Sequence, residues 1–96
     1  MNYIETNIYT LIEEKIKNYK GYVLYEIKDD DHMANIFHFE TKEEFDNNFE
    51  MKKHSYYPDT YPTPKNIVKS YGDSVECLID GHEYYICLRN FYLKIK

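Results

Sequence analysis

Apolar residues recur at helical spacing along the first twenty positions. Ile4, Ile8, Leu11, Ile12 and Ile16 fall on one stripe of a 3.6-residue period. Asn2, followed three residues on by Glu5, reads as a capping box. Gly21 stands where a left-handed residue ends a helix, and Lys17 and Lys20 occupy its last turn, where cations favour the dipole. The pattern predicts a helix over 2–20.

The period then changes from helical to alternating. Tyr22 to Lys28 is rich in β-branched and aromatic residues and reads as a strand, with Val23, Tyr25 and Ile27 on one face. Asp29-Asp30-Asp31-His32 is a polar turn. Met33 to Glu40 is a second strand, with Phe37 and Phe39 on one face and Ile36 and His38 on the other. The two form an antiparallel hairpin. Thr41-Lys42-Glu43-Glu44 is a second capping box. It opens a helix that turns Phe45 and Phe49 toward the sheet and ends on Lys52, Lys53 and His54.

Residues 54–66, with Pro58, Pro62 and Pro64, read as a loop. Pro64 starts a short helix to Tyr71, closed by Gly72, with a strand over Ile67 to Tyr71 as the competing reading. Ser74 to Arg89 is the clearest hairpin, because Asp80-Gly81 supplies the positive φ angles of a type I′ turn. Its two-residue register sets Ile79 opposite His82, Cys77 opposite Tyr84, Val75 opposite Ile86 and Ser74 opposite Cys87. Cys77 and Cys87 then lie on opposite faces and do not pair. Phe91, Leu93 and Ile95 continue a strand after a bulge at Arg89-Asn90. The predicted fold is a single α+β domain over 1–96. It has an antiparallel sheet of four to five strands with two main helices on one face, in the order α-β-β-α-(short helix or strand)-β-β.

Composition narrows the function more than the fold. Ninety-six residues with 43% apolar and 30% charged side chains make one ordered domain with a modest core. Twelve Tyr and five Phe, with no Trp, exceed what that core needs, so some Tyr are expected at the surface. One Arg and one Ala, against many Lys, Asn, Ile and Tyr, follow AT-rich codon usage and point to a low-GC bacterial, phage or plasmid genome. No apolar run spans a bilayer, and Glu5, Glu13 and Glu14 interrupt any signal-peptide core, so a cytoplasmic location is expected.

The net charge of −5 is uneven: residues 26–50 hold nine acids and two lysines, residues 51–96 five acids and seven bases. An acidic chain repels phosphates, which disfavours nucleic acid as the partner.

The spacings exclude most chemistry. His32 and His38, and Cys77 and Cys87, do not match zinc-ligand spacing. Asp29-Asp30-Asp31 lacks the glycine and distal glutamate of a calcium loop. Gly21, Gly72 and Gly81 are isolated and form no phosphate loop. The expectation is no enzyme, no metal and no cofactor.

Two candidate binding addresses remain. Asp29, Asp30, Asp31, Glu40, Glu43, Glu44, Asp46 and Glu50 form an acidic block suited to a basic groove that normally holds phosphates. Tyr56, Tyr57, Asp59 and Tyr61 lie in a proline-stiffened segment with the character of a hot spot. The expected function is that of a small protein-binding inhibitor or adaptor. In style the chain resembles the small acidic proteins that phages and mobile elements use against host defence, anti-CRISPR proteins among them, although no motif carries the likeness. The alternatives are an RNA or single-stranded DNA module that stacks bases on sheet tyrosines near Lys65, Lys69, Arg89, Lys94 and Lys96, and a homo-oligomer paired through the edge strand Phe91 to Ile95.

Overall fold

The computed structural model describes residues 1–7, 16–28, 33–53 and 59–96. Among these the chain is mostly β, with nine strands in three antiparallel sheets and one short α-helix. The expected α+β layout with two main helices is therefore corrected. The strands are β1 Asn2–Asn7, β2 Tyr22–Lys28, β3 Met33–Phe39, β4 Phe49–Lys53, β5 Thr60–Pro64, β6 Asn66–Tyr71, β7 Ser74–Ile79, β8 His82–Cys87 and β9 Phe91–Ile95, and helix α1 is Lys42–Asn48. A four-stranded sheet runs β1-β3-β2-β9, a two-stranded sheet pairs β4 with β5, and a three-stranded sheet runs β6-β7-β8. No helix among the described residues is long and apolar enough to cross a membrane.

The helix expected over 2–20 begins as strand β1, which pairs with β3 and sets Ile4 opposite Ile36. Ile4 packs with Ile16, Val23 and Ile36, so its burial is satisfied by a period of two as well as by a period of 3.6. Ile8, Leu11 and Ile12 lie outside the described residues.

Helix α1 starts as expected, with the Thr41 hydroxyl accepting from Glu44 N at 3.2 Å. It ends earlier than expected. Phe49 leaves helical geometry at φ −134° and ψ 157°, and Lys52 and Lys53 extend as β4. Phe49 still stacks on Phe45, with ring centroids 5.8 Å apart, so the two rings keep their contact although only one is helical.

The loop expected over 54–66 contains β5, whose Pro62 and Pro64 are tolerated because, among the described residues, β5 has a strand neighbour on one side only. The short helix expected from Pro64 to Tyr71 is strand β6, the competing reading. It is closed by Gly72 at φ +69° and pairs with β7 through a register shift between Ile67 and Lys69.

Both predicted hairpins form. Val23, Leu24 and Tyr25 lie opposite His38, Phe37 and Ile36. The second hairpin has the expected register at Ile79–His82, Cys77–Tyr84, Val75–Ile86 and Ser74–Cys87, turning at Asp80 (φ 52°) and Gly81 (φ 81°). A 3-10 turn over Leu88–Asn90 stands where a bulge was expected. It carries the chain away from β8, so that β9 pairs with β2 at the edge of the other sheet.

The main core lies between one face of the four-stranded sheet and the β7–β8 hairpin. Leu24, Phe37 and Phe39 meet Val75, Cys77, Ile79 and Ile86, with Phe45, Phe49, Leu88 and Phe91 closing the sides. Gly21 joins this body to the last residue through two backbone hydrogen bonds with Lys96. Its φ is +102°, and an added Cβ would sit 2.5 Å from the Glu40 carbonyl oxygen, so a side chain here meets backbone.

Candidate functional site

The acidic block is only partly a free negative face. Asp46 pairs with Lys42 at 2.6 Å and Glu50 with Lys52 at 3.3 Å. A Glu44 carboxylate oxygen accepts from Glu40 N at 3.3 Å and so completes the helix start. Glu40 and Glu43 are exposed, with no ion pair among the described residues. Asp29, Asp30 and Asp31 lie outside the described residues, as do Tyr56 and Tyr57. Asp59 is exposed just before β5, and Tyr61 is half-buried within it, opposite Lys52.

A different surface gathers more exposed apolar area. Every residue of β6 is exposed. Val68 is 65% exposed, Tyr71 45% and Ile67 39%, and Tyr85 on β8 is 59%. These are four of the eight large hydrophobics exposed among the described residues, all on the three-stranded β6-β7-β8 sheet; Val68, Tyr71 and Tyr85 gather beside one groove, whereas Ile67 lies opposite the inward-pointing Cys77, and Tyr3, Met51, Tyr92 and Ile95 are spread over β1, β4 and β9.

The arrangement follows from strand alternation. Val75, Cys77 and Ile79 point into the core, so Glu76 on β7 points out and meets Tyr85 directly across the ladder. Tyr71 and Tyr85 approach to 6.0 Å between ring centroids, and the Tyr71 hydroxyl donates to Glu76 Oε1 at 3.2 Å. Lys69 Nζ lies 5.0 Å from the centre of the Tyr71 ring. Val68, Glu76, Cys77, Glu83, Tyr84 and Tyr85 line a groove of about 270 Å³. Desolvation raises the hydroxyls of Tyr71 and Tyr84 above their usual 10.0, reinforced at Tyr71 by the Glu76 hydrogen bond and at Tyr84 by Asp80. Both rings therefore present neutral phenols.

The sequence reading missed Val68, Tyr71, Glu76, Glu83 and Tyr85 as site residues. The available signal was the strand reading of 67–71. It places three apolar residues on a sheet edge next to a hairpin whose register was already legible.

Beneath this sheet lies a second feature that residue spacing did not reveal. Glu26 is 3% exposed, and its carboxylate accepts from Asn35 Nδ2 at 3.0 Å and from Cys87 N at 2.6 Å. Asn35 Oδ1 in turn accepts from the Tyr3 hydroxyl at 2.8 Å. The chain of contacts runs from β1 through β3 and β2 to β8, and so clamps the β7–β8 hairpin onto the four-stranded sheet.

Burial, with Glu26 nearby as the smaller cause, pushes the Cys77 thiol up to about 11, so it stays protonated at neutral pH. Because the folded value lies above the ordinary 9.0, the stability that this thiol contributes is full below pH 9 and declines as pH rises through about 11. Cys77 is buried and Cys87 half-buried, and both are free. We expect iodoacetamide at pH 8 to alkylate Cys87 well before Cys77 in the native chain; equal rates by mass spectrometry would contradict the placement of Cys77. Among the described residues, no group of three or more His, Cys, Asp or Glu side chains is placed to hold a metal. His38 stacks on Tyr19 with centroids 4.4 Å apart, and its Nε2 lies 2.6 Å from the Lys20 carbonyl oxygen. Compared with protein-family models, characterised proteins and solved structures, the chain matches none.

Proposed function

We propose that this chain is a non-enzymatic protein-binding domain, acting as an inhibitor or adaptor, and that the β6-β7-β8 sheet is its contact surface. The observation that carries the reading is the cluster of Val68, Tyr71 and Tyr85, all exposed and gathered beside one groove of the three-stranded sheet. Single exposed hydrophobics are ordinary, but gathered ones mark interaction surfaces, and Tyr is among the residue types enriched in binding hot spots. The partner in this reading is a protein with a basic surface. A net charge of −5, with Glu40 and Glu43 at the surface, speeds the approach of such a partner.

The test is a quantitative pull-down from a bacterial lysate. Immobilised wild type is compared with a Val68→Glu/Tyr85→Glu variant and with Lys17→Glu as a control for added negative charge. All three positions are exposed, so melting temperatures should agree. Proteins retained by wild type and by Lys17→Glu should be lost from the double variant. The same retained set on all three baits would count against this surface.

A second reading rests on the opposite face of the four-stranded sheet. Tyr25 and Tyr92 stack there with centroids 5.2 Å apart, and Lys94 Nζ lies 5.9 Å from the Tyr25 ring. Such a platform suits stacked bases of single-stranded nucleic acid, although the net charge opposes it. Filter binding at low salt with a labelled oligonucleotide separates the two readings.

A further inference from the structure

We infer that the groove beside Tyr85 receives an arginine or lysine side chain carried on an extended basic segment of the partner, laid along the edge of β6 that no described strand pairs with. The inference rests on the protein-binding reading above and names the chemistry of its occupant. The first support is size. A groove of about 270 Å³ falls just below the usual range for small-molecule sites and suits one long side chain.

The second is charge. Glu76 and Glu83 both line the groove, and Glu83 has no ion pair among the described residues. An entering cation gains two carboxylates and the face of the Tyr85 ring. The third is a precedent within the same surface, where Lys69 already holds its ammonium group over the Tyr71 ring. The Lys69 contact is with Tyr71, which leaves Tyr85 for the partner.

The strand edge supplies the geometry. β6 pairs with β7 on one side, and no described strand pairs with its other side. An extended segment can add there through main-chain hydrogen bonds, with alternate side chains reaching over the sheet. The register shift at Val68 bends this edge and weakens indiscriminate strand pairing, so selection passes to the side-chain groove. A second copy of the chain fits poorly, because face-to-face docking would set Glu76 and Glu83 against the same carboxylates.

The test is an NMR titration of the full chain with three synthetic peptides of strand length. They share a β-branched sequence and differ only in carrying Arg, Gln or Glu at alternate positions. The Arg peptide should shift the amides of residues 66–71, 76 and 83–85. It should bind about fivefold more tightly than the Gln peptide, the gain expected from two exposed ion pairs, with the Glu peptide weakest. In Glu76→Gln/Glu83→Gln, the preference for Arg over Gln should vanish while the fold is kept. Equal affinity for the Arg and Gln peptides on wild type, or no shifts with any peptide at millimolar concentration, would overturn the inference. If the Val68→Glu/Tyr85→Glu bait nevertheless loses its proteins, the binding surface stands without this occupant. If that bait also retains them, the surface itself is wrong.

Discussion

Glu26→Ala is expected to lower the unfolding free energy by about 2–4 kcal/mol, because two donors lose their acceptor in a buried site. The donors are Asn35 Nδ2 and Cys87 N, at 3.0 and 2.6 Å from the carboxylate. Glu26 itself is 3% exposed, so water has little access to replace it. In a domain of this size such a loss lowers the melting temperature by roughly 10–25 °C. Glu26→Gln keeps one acceptor oxygen but turns an NH₂ toward the second donor, so its loss should be intermediate. Thermal and urea denaturation of the two variants checks the order. Amide exchange at Cys87 adds a local readout, since its N–H bond to Glu26 ties β8 to β2. A Glu26→Ala variant as stable as wild type would mean that the clamp between the sheets contributes nothing.

Phe37→Ala is expected to cost about 3–5 kcal/mol, the range for emptying a buried aromatic site. Phe37 is fully buried and lies 5.0 Å from the ring of Tyr3, 5.0 Å from that of Tyr84 and 5.9 Å from that of Phe91. Those three rings belong to β1, β8 and β9, so the ring of Phe37 contacts three separate strands from β3. Collapse around the cavity would need those strands to shift together, which places the cost toward the upper end. Against a total stability of about 5–15 kcal/mol, the variant should be marginal at 37 °C. Urea unfolding measures the loss directly, and a value under about 1 kcal/mol would show that this ring is not central to the core.

Both predictions concern parts of the fold that the sequence showed unevenly. The two hairpins were legible because their signals are local. Asp80-Gly81 sets a turn, the turn sets a register, and the register sends Val75, Cys77 and Ile79 inward. The start of α1 was legible for the same reason, since Thr41 and Glu44 are three residues apart. What failed depended on partners distant in sequence. Ile4 fits a helical stripe with Ile16, and only pairing with β3 makes it a strand residue. Pro62 and Pro64 read as loop residues until β4 is seen to pair with one side of β5.

The binding surface was harder to read than the fold. Acidic residues are visible as a run, and a run draws attention. Val68 and Tyr85 are seventeen positions apart, and only the β6-β7-β8 order brings them to one groove. The carboxylates that looked like one face are partly consumed by neighbours: Asp46 by Lys42, Glu50 by Lys52, and Glu44 by the helix start. Glu26 was hidden for the opposite reason. A lone glutamate in an alternating strand reads as a solvent-facing residue, and nothing local announces that Asn35 and the backbone of Cys87 will enclose it.

The most direct test of the central claim is photo-crosslinking in the native host. A photoreactive amino acid is placed, one at a time, at positions 68, 85, 43 and 17, all of which are exposed. If the β6-β7-β8 sheet is the contact surface, positions 68 and 85 should yield the same covalent protein adduct and position 17 none, with at most a weak adduct at 43. Adducts at 43 or 17, with none at 68 and 85, would contradict the account and move the interface elsewhere.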